Sequence, residues 1–288
     1  ISSVEWMNVK PALLITSISN FGTNGPQYQR PATELTLLGE GGYLFLGGKP
    51  DKEPLKPYGY LGQYTGGLQA AVATLAALLQ RRITGRGQFI DISLQESVAF
   101  LINDAVPAYD HFGSIYSRQG SRVASSDHYG HYSGNVLPCK DGYVFVAIGQ
   151  NPQMASFLMG EEKFDSPEFW KKSSQYADEI DAICIRWLQC RTREQATTEA
   201  QEVNLVIAPV YTLDEVLDNP QLRSRGIFRS VVSPRGSYAT LPALPFRMAH
   251  DPLLNLNPPF LGQHNFDILN QIGVGHEDVV RLVRMGVM

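Results

Sequence analysis

The sequence has no cluster of basic residues. Its 24 lysines and arginines stand against 28 aspartates and glutamates, which gives a formal net charge of −4. The basic residues are scattered along the chain. Nucleic acids and anionic membranes are bound through clustered positive charge. The composition therefore argues against nucleic acid or a membrane surface as the main partner.

Cysteine is scarce, and long apolar runs are absent. The chain has three cysteines, Cys139, Cys184 and Cys190, which cannot all pair with one another and are not spaced as CxxC. We therefore expect neither a disulfide framework nor a metal site. The longest apolar stretch, 68–79, is about a dozen residues, well short of the roughly 20 that span a bilayer. No charged-then-apolar leader opens the sequence, so we expect a cytoplasmic fragment or processed product rather than a secretory precursor.

The first hundred residues contain patterns that predict a strand, a helix and a second strand. The β-branched run "ALLITSIS" at 12–19 predicts a buried strand. Apolar residues recur every three or four positions over 67–82, which predicts a helix packed on a core. The alternating "FIDISL" at 89–94 predicts another strand, followed by a helix. This order predicts a βαβ unit in a parallel sheet that binds ligands at its strand ends.

The sequence beyond residue 115 becomes polar and rich in turn residues. The stretch "SRQGSRVASSDHYGHYSG" at 117–134 is typical of a link to a second domain. After it we predict a strand at 143–148 and helices around 167–190 and 193–202. A further helix begins after a cap at Thr212 or Asp214.

Five segments of the chain occur in an order that points to a known family. They are "LLITSISNFGTNGP" (13–26), "TGRGQFIDISLQES" (84–97), "LPCKDGYVFVAIG" (137–149), "APVYTLDEVLDNPQLRSRGIF" (208–228) and "NPPFLGQHNFDIL" (257–269). Together they resemble the class III CoA-transferases, the family of formyl-CoA transferase, carnitine CoA-transferase and α-methylacyl-CoA racemase. The resemblance covers essentially the whole chain, and the joint match is specific.

The resemblance implies an α/β architecture. It consists of a doubly wound, Rossmann-like large domain, an inserted smaller α/β domain, and a dimer whose two chains interlock. The implied parts are the large domain at 1–115, a linker and small domain at 116–235, and a C-terminal segment at 236–288 that returns to the large domain. The family's N-terminal βα portion, which carries much of its CoA-binding surface, has no counterpart here and would precede this sequence or belong to another chain.

The resemblance also implies a covalent mechanism. In the family an Asp carboxylate attacks the acyl-CoA carbonyl to form a mixed anhydride. CoA thiolate then attacks to give an aspartyl-CoA thioester, and an acceptor carboxylic acid takes the CoA. That Asp lies four residues before the glycine of the crossover helix, and counting back from Gly67 gives Gln63. An amide has no ionisable oxygen at neutral pH and cannot form the anhydride.

The expected function is therefore that of an acyl-CoA-binding protein of the CoA-transferase type, with coenzyme A as substrate thioester and Gln63 in the catalytic position. Three interpretations of Gln63 stay open. Another acid takes over, with Glu34, Glu40 and Asp127 available. Alternatively, the chain is an altered catalyst, such as an acyl-CoA racemase, isomerase or dehydratase. In the third interpretation the chain is a non-catalytic subunit beside an Asp-bearing partner, or the residue has been substituted deliberately. The expected assembly is a homodimer or a heteromer with a related chain.

Five residues are candidates for binding CoA. Ser19, Asn20, Phe21 and Gly22 occupy the stretch that contacts CoA in the family, where backbone N–H groups can hold phosphate or pantetheine. A strand-end turn satisfied by its own residues is the alternative. Arg86, in the turn after the helix, is a candidate phosphate contact or else a solvated side chain.

The histidines and one glycine cluster carry weaker signals. His128 and His131, three apart without a third ligand, favour a surface or interface pair over a metal site, with an acid–base role open. His264 is expected to pack at a structural turn. The "GEGG" at 39–42 lacks the second half of GxGxxG, so we predict a flexible loop within a loop or hairpin at 36–54.

Overall fold

A computed structural model describes residues 3–123, 131–232, 236–249 and 259–287. The helices are α1 (Ser3–Val9), α2 (Glu34–Glu40), α3 (Leu61–Thr84), α4 (Leu94–Phe100), α5 (Ala105–Phe112), α6 (Pro152–Met159), α7 (Pro167–Trp170), α8 (Ala177–Leu188), α9 (Arg193–Glu202), α10 (Leu213–Asp218), α11 (Pro220–Ser224), α12 (Asn265–Gln271) and α13 (His276–Arg284). The strands are β1 (Ile15–Ser19), β2 (Phe89–Ser93), β3 (Asn135–Cys139), β4 (Gly142–Val146), β5 (Ile207–Pro209), β6 (Phe228–Val232) and β7 (Tyr238–Pro242).

The chain divides into two compact units, Ile1–Val210 and Tyr211–Met288. The first unit holds two separate hydrophobic clusters, one around α2 and α4 and the other around α8 and the β3-β4-β5 sheet. The three-part division with boundaries after residues 115 and 235 stays a prediction. None of the described helices is both long and apolar enough to cross a membrane.

The predicted βαβ unit is confirmed. Strands β1 and β2 pair in parallel, from Ile15 opposite Phe89 to Ser19 opposite Ser93, with α3 as the connection. The turn after α3 approaches the segment just before β1 so closely that only glycine fits at residue 87. A Cβ on Gly87 would lie 1.8 Å from the carbonyl oxygen of Leu13. Among the described residues this sheet has two strands, each with one edge unpaired.

Helix α3 begins at Leu61, earlier than the apolar pattern predicted, so Gln63 lies inside its first turn rather than before it. The face that packs on α4 is built from small residues: Gly62, Gly66 and Ala70 are buried. A Cβ on Gly66 would lie 2.3 Å from Cδ2 of Leu94. This close approach of two helices is the physical reason for glycine here.

The larger apolar side chains of α3 face away from this contact. Leu68, Val72, Leu75 and Leu79 are each 62–69% exposed in the single chain. The prediction that this stripe packs on a core is therefore wrong for the described chain, because the small face of the helix meets α4 instead. The apolar periodicity predicted the helix correctly, but it predicted the wrong face of the helix as buried.

Residues 36–54, predicted as a loop or hairpin, contain most of helix α2 and a 3-10 helix at Tyr43–Leu46. The prediction of a flexible loop at 39–42 is also wrong, since residues 39 and 40 complete α2. Thr33 caps the helix, accepting a hydrogen bond from the backbone N–H of Thr36 at 3.4 Å. Leu37 and Leu38 are almost fully buried, so their packing outweighs the cost of a glycine in the last turn.

The remaining elements largely follow the predictions. The strand expected at 143–148 is β4, which pairs antiparallel with β3 and β5, and β3 was not predicted. The helix predicted near 167–190 is divided into α7, a short 3-10 helix and α8, whereas α9 is as predicted. Thr212, one of the two predicted caps, is the N-cap of α10, and its backbone N–H donates to Glu215 at 2.8 Å.

Candidate functional site

The first turn of α3 presents Gln63 to solvent and buries a carboxylate directly beneath it. Glu34, the first residue of α2, is only 6% exposed. Its Oε1 accepts a hydrogen bond from the backbone N–H of Gly62 at 2.7 Å, and its Oε2 accepts one from the N–H of Gln63 at 3.4 Å. A carboxylate at this pole satisfies two of the free N–H groups and complements the helix dipole. The N-terminus of α3 is thus already capped by a carboxylate of the chain itself.

Aromatic and cationic residues stand close to Gln63 in the sequence. The rings of Tyr60 and Tyr64 meet edge to face, with centroids 6.3 Å apart. The Lys56 ammonium lies 6.0 Å from the Tyr60 ring centroid and donates to the carbonyl of Gly59 at 2.6 Å. Amide, phenol and ammonium groups can bind and orient a polar ligand by hydrogen bonding and stacking. None of these three groups is a carboxylate.

The predicted CoA-binding loop lies at the carboxyl end of β1. Phe21 is buried in the cluster against which Leu61 packs, so the loop and the start of α3 share one core. The carbonyl of Asn20 accepts a hydrogen bond from the N–H of Gln95 at 3.0 Å. Gly22 has φ +84°, which favours glycine, and is buried. These contacts fix the loop, and its role in binding CoA stays a prediction.

Ser19 differs from its neighbours in the loop because its hydroxyl is orphaned. The Ser19 Oγ is buried and has no hydrogen-bond partner among the described residues. Buried hydroxyls in folded proteins are nearly always paired. The strand-end loop therefore carries one polar group that the described part of the chain does not satisfy.

Arg86 lies at the other end of α3. It follows the last turn of the helix and is exposed. With a rise of 1.5 Å per residue, the helix separates it from Gln63 by about 30 Å. The structure thus places Arg86 away from Gln63, and its proposed phosphate contact stays a prediction.

The histidines do not join this site within the described residues. His131 is exposed, with Nδ1 3.2 Å from the carbonyl oxygen of Trp170. His264 lies in the turn before α12, as predicted, but it is exposed rather than packed. His128 and Asp127 lie outside the described residues. Glu40, another of the acids considered for catalysis, pairs with Arg30 at 2.9 Å.

A buried polar network in the first unit was not predicted. The Asp181 carboxylate accepts hydrogen bonds from the Tyr132 hydroxyl at 2.6 Å, the Asn135 amide at 2.9 Å and Nε of Arg122 at 2.8 Å. Burial, and then the hydrogen bond to Asp181, raises the pKa of Tyr132 far above its usual range, so the phenol remains a donor. The partners lie 46 to 59 residues from Asp181 along the chain, and no local pattern signals them.

Replacing the cap of α3 is expected to destabilise the first unit. Glu34→Gln keeps one acceptor oxygen but removes the buried charge, so we expect a loss of about 1–2 kcal/mol in the free energy of unfolding in urea. Glu40→Gln, at the other end of α2, is the matched control and should cost less than about 1 kcal/mol because its ion pair with Arg30 is partly solvated. Equal losses for the two variants would contradict the capping role.

Comparison with known proteins identifies the family. A family model described as CoA-transferase family III matches residues 1–265. The chain belongs to CoA-transferase family III, which confirms the resemblance drawn from the sequence.

Individual relatives show how much of the family's length is present. The chain is 26% identical over 282 residues to the succinyl-CoA:L-malate CoA-transferase alpha subunit of Chloroflexus aurantiacus, a match that covers 94% of this chain and 64% of the relative. It is 27% identical over 291 residues to subunit BbsE of the succinyl-CoA:(R)-benzylsuccinate CoA-transferase of Thauera aromatica, covering 95% of this chain and 69% of that protein. The chain thus spans about two thirds of the length of these relatives.

A solved structure has the same mixed α/β fold. The crystal structure of a CAIB/BAIF family protein from Brucella suis matches with a TM-score of 0.75 at 24% identity, covering 94% of this chain and 71% of that one. At this level of identity the likeness concerns the fold alone.

Proposed function

We propose that the chain is an acyl-CoA-binding component of a CoA-transferase, with an amide at the position where the family's reaction requires a carboxylate. The observation that carries the proposal is Gln63 on the exposed first turn of α3, above a helix terminus that Glu34 has already capped. The relatives named above are transferases that use succinyl-CoA, so a succinyl or similar thioester is the proposed ligand.

The Gln63 amide can bind a thioester but cannot displace its CoA thiolate. Its N–H₂ group can donate to the carbonyl oxygen of an acyl-CoA, which positions and polarises that carbonyl. The covalent step needs an ionised oxygen that attacks the carbonyl carbon as CoA thiolate leaves. Gln63 therefore supports binding and orientation without covalent transfer.

The nearby acids are poor substitutes for the missing carboxylate. Both oxygens of Glu34 already accept backbone N–H groups, and the side chain is buried beneath the helix terminus. Attack on a thioester would require leaving those N–H groups unpaired, at a cost of about 1–3 kcal/mol each. Glu40 is held by Arg30. These contacts favour a chain without its own nucleophile over one in which another of the described acids has taken over.

We further propose that a related chain supplies the carboxylate, in an interlocked dimer built on a doubly wound sheet. Two relatives are named as subunits, which is consistent with assembly from related chains. Among the described residues the β1-β2 sheet has two strands with one unpaired edge each, and α3 has an exposed apolar stripe. Both features support further covering layers. These features leave room for both additional strands and a partner.

Incubating the purified chain with succinyl-CoA tests the proposal. We expect saturable binding by calorimetry and no covalent succinyl or CoA adduct by intact-protein mass spectrometry, because the reacting position carries an amide. Adding a carboxylic acid acceptor should not change the mass.

Two results would overturn this assignment. An adduct mapped by peptide sequencing to Gln63 or Glu34 would show that the chain carries its own nucleophile. If the folded chain does not bind succinyl-CoA, the proposal that its ligand is an acyl-CoA is incorrect.

A further inference from the structure

The second unit contains a cavity of about 530 Å³ that shares no residue with the site around Gln63. Three cationic side chains line it: Arg225, Arg229 and Arg247. The rest of its lining is mainly apolar, from Leu222, Ile227, Leu244, Phe246 and Met248. The cavity thus combines positive charge with apolar surface.

The backbone brings two segments together to form this cavity. Gly226, at φ +61°, ends the turn after α11, and its N–H donates to the carbonyl of Arg223 at 2.9 Å. The N–H of Ala243 donates to the carbonyl of Ile227 at 2.6 Å, which extends the β6–β7 pairing beyond the strand ends. A Cβ on Gly226 would lie 3.8 Å from Nη2 of Arg247, so that guanidinium group lies beside the turn.

The three arginines lack carboxylate partners within the part of the chain that the structure describes. In the same unit Arg223 pairs with Asp218, and Arg281 pairs with Asp278 at 2.9 Å. Arginine remains charged at all physiological pH values, and its planar fork of donors matches carboxylate and phosphate oxygens. Three such groups around one cavity repel one another, so an anion that binds among them relieves that repulsion.

Part of the apolar lining is exposed. Leu244, Phe246 and Met248 are 46–63% exposed although they follow one another closely along the same segment. We propose that this cavity binds an organic anion that has a carboxylate or phosphate head and an apolar body. The head contacts the arginines, and the body covers the exposed apolar side chains. The proposal is independent of the function proposed above, because Gln63 belongs to the other unit.

Calorimetric titration of the full chain with octanoate and with octyl phosphate tests this proposal. We expect saturable binding of at least one of them, and which one binds more tightly distinguishes the carboxylate head from the phosphate head. Replacing all three arginines (Arg225→Gln, Arg229→Gln and Arg247→Gln together) should weaken this binding at least about 10-fold through the loss of charge-assisted hydrogen bonds. Phe246→Ala should weaken it as well, but leave any binding of inorganic phosphate unchanged.

The matched control removes the same number of charges elsewhere in the unit, with Arg223→Gln, Arg281→Gln and Arg284→Gln together, and should leave affinity unchanged. Equal losses in the two triple variants, binding of octanol as tight as that of octanoate, or no binding of either anion would each overturn the proposal. If the triple arginine variant of the cavity fails to fold, the salt dependence of binding to the natural chain tests the proposal instead. Its affinity for the preferred anion should fall on raising NaCl from 50 to 500 mM, and an affinity independent of salt would contradict the role of the arginines.

Discussion

Gln63→Asp is expected to form a covalent adduct with CoA that the natural chain does not form. The introduced carboxylate would attack the carbonyl carbon of succinyl-CoA, breaking the C–S bond and releasing CoA thiolate. The thiolate would then attack the aspartyl carbonyl of the mixed anhydride, releasing succinate and leaving an enzyme-CoA thioester. Intact-protein mass spectrometry detects this species directly, and hydroxylamine should remove it.

The expected change in the rate of adduct formation is large because the substitution introduces a nucleophilic carboxylate at a position that carries an amide in the natural chain. Where an enzymatic nucleophile has been removed, turnover has fallen by on the order of 10⁶-fold. We expect Gln63→Asp to raise the rate of adduct formation by at least about 1000-fold over the natural chain. The backbone at residue 63 is held by the α3 capping contacts, so a shorter side chain starts from the same place.

Gln63→Asn is the matched control for this experiment. Asparagine has the size of aspartate and the chemistry of the natural amide, so it should form no adduct. If Gln63→Asp still binds succinyl-CoA but also remains unmodified, the assignment of residue 63 to the nucleophile's position is incorrect. An adduct in the Gln63→Asn control would place the nucleophile elsewhere.

Asp181→Asn is expected to cause the largest loss of stability. Asp181 is the common acceptor for Tyr132, Asn135 and Arg122, and its side chain is only 11% exposed. Removing its charge leaves the Arg122 guanidinium without its better-buried partner. Breaking a buried pair in this way costs about 3–5 kcal/mol, and because Arg122 is partly exposed we expect about 3 kcal/mol.

Urea unfolding followed by tryptophan fluorescence measures this loss, since Trp187 is buried in the neighbouring core. Asp178→Asn is the matched control. It removes a carboxylate from the same Arg122, but that carboxylate is 95% exposed, so the cost should stay below about 1 kcal/mol. A loss for Asp181→Asn as small as that of the control would mean that the network is not a major source of stability.

Local patterns were sufficient to predict the elements that form the site's frame. The β-branched run before residue 20, the alternation over 89–94 and the apolar period over 67–82 predicted β1, β2 and α3. Thr212 was one of two residues, with Asp214, predicted as the cap from residue type. Each of these signals depends on neighbours within a few positions, so one sequence contains all the information they require.

Contacts between distant segments could not be predicted in the same way. Glu34 and Gly62 are separated by 28 residues, and nothing in either neighbourhood signals that one caps the other. Helix α2 was missed because Gly39, Gly41 and Gly42 outweighed Leu37 and Leu38 in the local pattern, whereas packing reversed that balance. The buried face of α3 was misassigned because small residues that permit close approach carry no apolar signal of their own.

The Glu34 carboxylate affects which substitutions residue 63 can accept. Because it restrains the backbone of the first turn of α3, residue 63 can be exchanged without a shift in the main chain around it. An acid, an amide or a small side chain would each project from the same anchored point. If residue 63 is the reacting position, as proposed, a single substitution there would change the chemistry of the site while the fold is retained.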